Sequence, residues 1–277
     1  MPLLEHLREL RSRLLKAAVG LTLGALVGFW FFDPIWQFLQ SPYCDLDVSK
    51  VNKGADGKTC GLVTNGLTQG FFLYLKISLI VGAVLSSPLW LYQLWAFVAP
   101  GLHQREKRWT YTFLVCAVPL FLLGATLSYV TLDKGLQILL GFTPDGVQPL
   151  VTIDSYLGYM IAMLLVFGIT FELPLFVVIL NLAGVVKHEK IAKHRRSIIF
   201  GLFVFAAVAT PSADPFTMLA LALPTVVLFE FAELIAFFHD RRHRDDEELY
   251  EGLDDDEISV IDERQTPVDG PSSVDVP

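Results

Sequence analysis

Two carboxylates stand among basic residues at comparable places in the chain. Glu9 lies in His6-Leu7-Arg8-Glu9-Leu10-Arg11-Ser12-Arg13-Leu14, just ahead of the first long apolar run, and Glu106 lies in Gln104-Arg105-Glu106-Lys107-Arg108, between the second run and the third. A carboxylate accepts two parallel hydrogen bonds from a guanidinium, a geometry that an ammonium cannot reproduce. Two carboxylates held on separate elements could therefore read two adjacent arginines and reject lysines. The neighbouring Arg and Lys side chains would keep both acids ionised. The plainer account of Glu9 is a helix pair with Arg13, four residues on, worth about 0.3–0.5 kcal/mol. A third acid, Glu172 in Phe171-Glu172-Leu173-Pro174, falls near the middle of an apolar run. There it costs about 2.5 kcal/mol or more, so it is either a functional polar point or a neutral acid bonded to neighbouring helices.

The elements that hold these acids are membrane helices. The chain has 277 residues, 53% hydrophobic and 18% charged, with a mean hydropathy of +0.51, and apolar runs of about 20 residues span a bilayer. The runs fall at about 14–32, 75–97, 111–132 and 156–182, followed by a shorter one at 198–211 and another at 216–238. Leu3, Leu7, Leu10 and Leu14 form one apolar stripe of a helix that leads into the first run. Gly20, Gly24 and Gly28 allow a second helix to approach that run closely, from this chain or from a partner. Pro88 should bend the second run. The first run is too long for a cleaved leader and ends in Phe-Trp-Phe-Phe-Asp-Pro with no small-residue cleavage site, so a retained anchor is expected.

Between the runs lie a long polar segment, 33–75, and a turn-rich one, 133–155. The first contains Cys44 and Cys60, a candidate disulfide closing a loop of about 15 residues and worth on the order of 3 kcal/mol; Cys116 reads as a packing residue inside a span. Residues 1–238 form the membrane domain. Residues 239–277 hold fourteen of the 29 acidic side chains against four arginines, and read as a disordered, solvated acidic tail. Basic residues concentrate at 8–16, 105–108, 187–196 and 241–244, whereas the alternate segments carry only Lys50, Lys53, Lys58 and Lys134 with Lys76 at a helix border. That asymmetry places both termini in the cytoplasm. The stretch 198–238, with its Thr210-Pro211-Ser212-Ala213-Asp214-Pro215 tip, reads equally as two short spans or as one re-entrant hairpin.

Five segments together resemble the TatC family, the multispanning receptor subunit of the bacterial twin-arginine protein translocase. They are His-Leu-x-Glu-Leu-Arg-x-Arg-Leu at 6–14; Tyr-Gln-x-Trp-Ala-Phe-x-Ala-Pro-Gly-Leu at 92–102 with the Glu106 cluster; Phe-Glu-x-Pro at 171–174; Thr210-Pro211 with Asp214; and Phe229-Glu230. The resemblance implies an all-α integral membrane protein with six transmembrane helices, the last two short, in the bacterial cytoplasmic membrane. It implies that Glu9, Arg11, Phe97, Glu106 and Arg108 bind the twin-arginine signal peptides of folded precursors. It also implies that Glu172 and Pro174 mark a polar site for the single-span partners TatA and TatB, and that Pro42 and Asp214 are further functional positions. Transport would draw on the proton-motive force, with several copies of the chain in a larger complex. At Ser212-Ala213-Asp214 the chain departs from the family's usual Pro-Pro-Asp tip.

An ion-coupled secondary transporter built on Glu172 is the rival reading, although the hydropathy pattern shows no internal repeat. An enzyme is not expected: no His lies in a span to serve a buried nucleophile, and no phosphate loop appears. His239 and His243 have helical spacing but sit among charges at a membrane exit, so no metal, cofactor or nucleic-acid partner is expected.

Overall fold

A computed structural model of the chain describes residues 3–44, 46, 61–98, 107–144, 147, 149–212 and 214–251. These residues form helices α1 (Leu3–Trp30), α2 (Phe32–Cys44), α3 (Gln69–Leu85), α4 (Ser87–Val98), α5 (Lys107–Gly141), α6 (Ile153–Leu182), α7 (His188–Ala209) and α8 (Pro215–Glu251). The only pairing of extended backbone among them is a single bridge between Val63 and Thr152. Four helices, α1, α5, α6 and α8, are long and apolar enough to cross a membrane, and α3 with α4 makes a fifth candidate broken by a 61° bend.

Helix α6 is the centre of the bundle. One face packs on α5 and the other on α8, and Tyr156, Met160, Met163, Phe167 and Phe171 run along the main core. Gly124 of α5 and Phe167 of α6 approach so closely that a Cβ at 124 would lie 2.7 Å from the Phe167 carbonyl oxygen. The α1 glycines serve packing within the chain: a Cβ at Gly24 would sit 2.8 Å from the carbonyl oxygen of Gly82 in α3. In each pair a glycine lets two backbones meet directly, a contact that a side chain at that position would prevent.

The bend in the second run falls at Ser86, two residues before Pro88. Proline has no N–H to give its own turn, and the chain re-forms its bonds around the gap. The Ser86 hydroxyl and N–H both donate to the Gly82 carbonyl, at 2.6 and 2.9 Å. The Trp90 indole N–H donates to the Ala83 carbonyl at 2.8 Å, satisfying an acceptor that the break would leave open.

Three readings of the connecting segments need correction. The polar segment 33–75 begins with a 13-residue helix, α2, because Phe32, Ile35, Trp36, Leu39 and Tyr43 recur at helical spacing and pack against the core. Its backbone is tied down by the Tyr129 hydroxyl, which donates to the Phe38 carbonyl at 2.8 Å, and by the Tyr156 hydroxyl on the Leu39 carbonyl. The segment 133–155 begins on helix: α5 runs on to Gly141, where Leu132, Leu136 and Leu140 continue its buried stripe. At 35 residues α5 is about 52 Å long, well beyond the ~30 Å of a hydrocarbon core. Finally, α8 carries helix on through residues 239–251 of the acidic stretch; residues 252–277 lie outside the described residues.

Helix α6 ends in a turn with Gly184 at φ +72°, where Val185 N–H donates to the Leu180 carbonyl at 3.0 Å. That left-handed position suits glycine and reverses the chain into α7.

Candidate functional site

Glu9 lies in the second turn of α1, half-buried. Arg13 donates to it through Nε at 3.0 Å and Nη2 at 2.6 Å, and both bonds fall on the same oxygen, Oε1. The local pair expected from spacing is thus formed, and among the described residues nothing bonds Oε2. Arg11 is exposed beside it. Phe97, half-buried, belongs to the last turn of α4. Helix α1 runs antiparallel to the α3–α4 pair, with Gly20 against the Leu89 side chain. From that contact Glu9 is about 16 Å back along α1 and Phe97 about 12 Å on along α4, so both come to one end of the bundle. The chain from α4 to α5 passes through residues 99–106, so Glu106 lies outside the described residues, as does the side chain of Arg108.

Glu172 sits on α6 with both carboxyl oxygens buried and without a hydrogen-bond partner among the described residues. Two residues on, buried Pro174 removes the N–H that would close the turn on the Thr170 carbonyl. Unpartnered polar atoms at that depth are expensive.

At the opposite end of the bundle, Asp214 begins α8. Its Oδ1 accepts the Thr217 N–H at 2.9 Å and its Oδ2 the Thr217 hydroxyl, which also meets Ser212 Oγ at 2.6 Å. This is a helix N-cap. Burial works against the Asp214 charge, but the bonds from Ser212, from the Thr217 hydroxyl and from the Thr217 and Phe216 amides outweigh it, holding the carboxyl below its ordinary value. Pro42 is buried inside α2 and, with Ser41, Leu46, Tyr129, Val130 and Asp133, lines an open cleft between α2 and α5. Cys44, the last residue of α2, is disulfide-bonded and Cys116 is free; Cys60 lies outside the described residues. His239 meets Asp240 at 3.4 Å, the side chain of His243 is not among those described, and no three potential metal ligands come together among the described residues.

Reading by sequence missed a polar junction joining α6, α7 and α8 at the Glu9 end. Arg195 of α7 forms a two-pronged pair with Glu230 of α8, and its Nε lies 3.5 Å from Glu233. His188 Nε2 lies 3.7 Å from the other Glu233 oxygen. Asp240 bridges Asn181 Nδ2 at 3.0 Å and the His188 backbone N–H at 2.6 Å. The signal was there to find: Glu230, Glu233 and Asp240 recur at three and seven residues on one helical face, and His188 and Arg195 are seven apart on another.

The family model described as Sec-independent protein translocase protein (TatC) matches residues 5–224. The chain is 49% identical over 266 residues to the Sec-independent protein translocase protein TatC of Frankia casuarinae, covering 95% of this chain and 73% of that one. To the protein of the same name from Aquifex aeolicus it is 33% identical over 248 residues, 88% of this chain and 98% of that one. A crystal structure of "Twin Arginine Translocase Receptor- TatC in DDM" superposes with a TM-score of 0.67 at 32% identity, covering 83% of this chain and 99% of that one. With a helical bundle of that shape and a family match across most of its length, the chain belongs to the TatC family and is a membrane-embedded component of the Sec-independent, twin-arginine protein translocase.

Proposed function

We propose that the chain is the receptor core of a twin-arginine translocase, binding the paired arginines of signal peptides through Glu9 and Glu106. The observation that carries this reading is Glu9 itself: Arg13 engages only Oε1 and nothing among the described residues bonds Oε2, so the carboxylate is held in place with one oxygen for an incoming guanidinium. Phe97 is at the same end to pack against the apolar part of a signal peptide, with Arg11 exposed and Arg108 in the next helix. The segment carrying Glu106 joins α4 to α5 at this end. The solved relatives described as receptors support the reading. Family membership in a protein translocase weighs against an ion-coupled small-solute carrier.

In this account the chain crosses the bacterial cytoplasmic membrane six times, with the bent α3–α4 pair as one crossing and α7 as another. Both termini are cytoplasmic, a placement that the distribution of basic residues supports. The apolar part of α7, 198–209, is only about 18 Å long against ~30 Å of hydrocarbon, so the bilayer thins beside it. Glu172, without a hydrogen-bond partner among the described residues, takes a polar group from a transmembrane helix of TatA or TatB, and Pro174 opens the helix beside it. Cys44 pairs with Cys60 on the outer side, where disulfides persist. Pro42 and Asp214 shape that same side. Several copies assemble with TatA and TatB, and the proton-motive force drives export.

A photo-crosslinking amino acid at Arg11 or Phe97 should capture a twin-arginine precursor, and one at Phe29, toward the other end of α1, should not. Capture from Phe29 alone would move the peptide site elsewhere. A Glu172→Gln chain should lose co-isolated TatA and TatB while still capturing precursor; unchanged co-isolation and export would remove Glu172 from the account.

A further inference from the structure

We propose that the face of α7 turned away from α8 binds an anionic phospholipid, its headgroup on Lys190, Lys193 and Arg196 and its acyl chains along Phe200, Val204 and Val208. The inference rests on the reading of α7 as a membrane-crossing helix. At 100° per residue these six positions fall on one side of α7, and all six are exposed. Arg195 is on the reverse side, where Glu230 and Glu233 of α8 hold its charge. Ile191 and Ala206 are buried on the side toward α8. The three remaining cations have no ion-pair partner among the described residues. Glu189, exposed on the same face next to Lys190 and one turn from Lys193, makes no ion pair among the described residues, so three cations against one acid leave the face a positive balance.

Length makes this face more than a topology signal. Only twelve apolar residues, 198–209, separate Ser197 from Thr210, about 18 Å where the hydrocarbon core is ~30 Å. With Thr210 at one membrane surface, Lys193 and Arg196 come level with headgroups drawn toward the midplane, where a cation needs a fixed counter-ion. Phosphate oxygens accept hydrogen bonds from Lys and Arg. The exposed apolar stripe begins one turn above Arg196 and reaches 81% exposure at Val208, which calls for an anion with acyl chains attached and not a free one. Basic clusters at a membrane border attract anionic lipids by roughly 1 kcal/mol per charge.

The test uses the full chain purified in neutral detergent, stripped of lipid, and titrated with phosphatidylglycerol or phosphatidylcholine of identical acyl chains, with bound lipid counted by native mass spectrometry. Wild-type chain should retain phosphatidylglycerol in preference to phosphatidylcholine. The K190Q/K193Q/R196Q variant should bind phosphatidylglycerol weaker by on the order of a hundredfold, whereas K134Q, altering a lysine of α5 at the opposite end of the bundle that lies beside Asp133, should match wild type. Equal retention of the two lipids, or an undiminished triple variant, would overturn the proposal. So would a large gain in phosphatidylglycerol binding when residues 252–277 are removed, since the acidic tail and not lipid would then be the occupant. Labelling of Ser212→Cys and Lys187→Cys by a membrane-impermeant thiol reagent, in a Cys116→Ala background, checks the crossing separately. Labelling from opposite sides is expected; labelling from one side would overturn the crossing and the lipid site with it, while peptide capture at Arg11 would still report on the receptor reading.

Discussion

Asp240 caps α7 from a different helix: its Oδ2 accepts the His188 backbone N–H at 2.6 Å, while Oδ1 accepts from Asn181 of α6 at 3.0 Å. Lys187, the residue in the N-cap position, supplies no side-chain bond of its own. One carboxylate on α8 therefore satisfies an orphan amide of α7 and an amide side chain of α6, with its negative charge at the positive end of the α7 dipole. The junction fixes how the short helix stands against the rest of the bundle.

Removing that carboxylate should loosen α7 first. Asp240→Ala is expected to cost about 1–2 kcal/mol, a fall of some degrees in melting temperature for a chain of this size. Asp240→Asn, which keeps an acceptor oxygen, should lose less. Thermal unfolding in detergent, with hydrogen exchange at His188–Ile191 as the local probe, checks both; identical curves for wild type and Asp240→Ala would show that the cap contributes nothing.

The contact between α1 and α3 should tolerate no side chain. A Cβ at Gly24 meets Gly82 backbone atoms at 2.8 and 2.9 Å, so Gly24→Val should cost about 1–3 kcal/mol or more by forcing the two helices apart. Gly158→Ala, with nothing within 4 Å of its Cβ, should be neutral or slightly stabilising. The yield and melting temperature of the purified variants distinguish the two.

Much of this was legible in the residues. Apolar run length located the four helices long and apolar enough to cross a membrane and the bent α3–α4 pair, Pro88 marked the bend, and the Glu9–Arg13 spacing announced an ion pair that the structure contains. What escaped was amphipathic or tertiary. Helix α2 hides in a segment with Asp33, Gln37 and Gln40 on one side and aromatic residues on the other, which a hydropathy average reports as polar. The extension of α5 past Leu132 depends on a leucine stripe interrupted by Asp133, Lys134 and Gly135. The Asp240 junction spans residues 59 positions apart, a pairing that local spacing does not reveal. Which oxygen of Glu9 Arg13 takes is set by the folded geometry and not by spacing.

The Asp214 cap makes a prediction in pH. Its carboxyl is held below the ordinary value by hydrogen bonds that outweigh burial, so the unfolded chain binds that proton more readily. The stabilisation is therefore fully present above the ordinary Asp value of about 3.9 and is lost as pH falls through the lower folded value. Asp214→Asn should lower the melting temperature at pH 7 and flatten its decline toward pH 3. Parallel acid declines for the two chains would show that Asp214 is not the group responsible.

Whether paired carboxylates select paired arginines is decided by equilibrium binding. A twin-arginine signal peptide and its twin-lysine counterpart would be titrated against the purified chain and its Glu9→Gln and Glu106→Gln variants. The arginine peptide should bind preferentially, and either substitution should weaken its binding at least tenfold, since a charge-assisted bidentate pair is replaced by a neutral contact. Equal binding of both peptides, untouched by either substitution, would contradict that selection and return Glu9 to the role of a surface partner for Arg13.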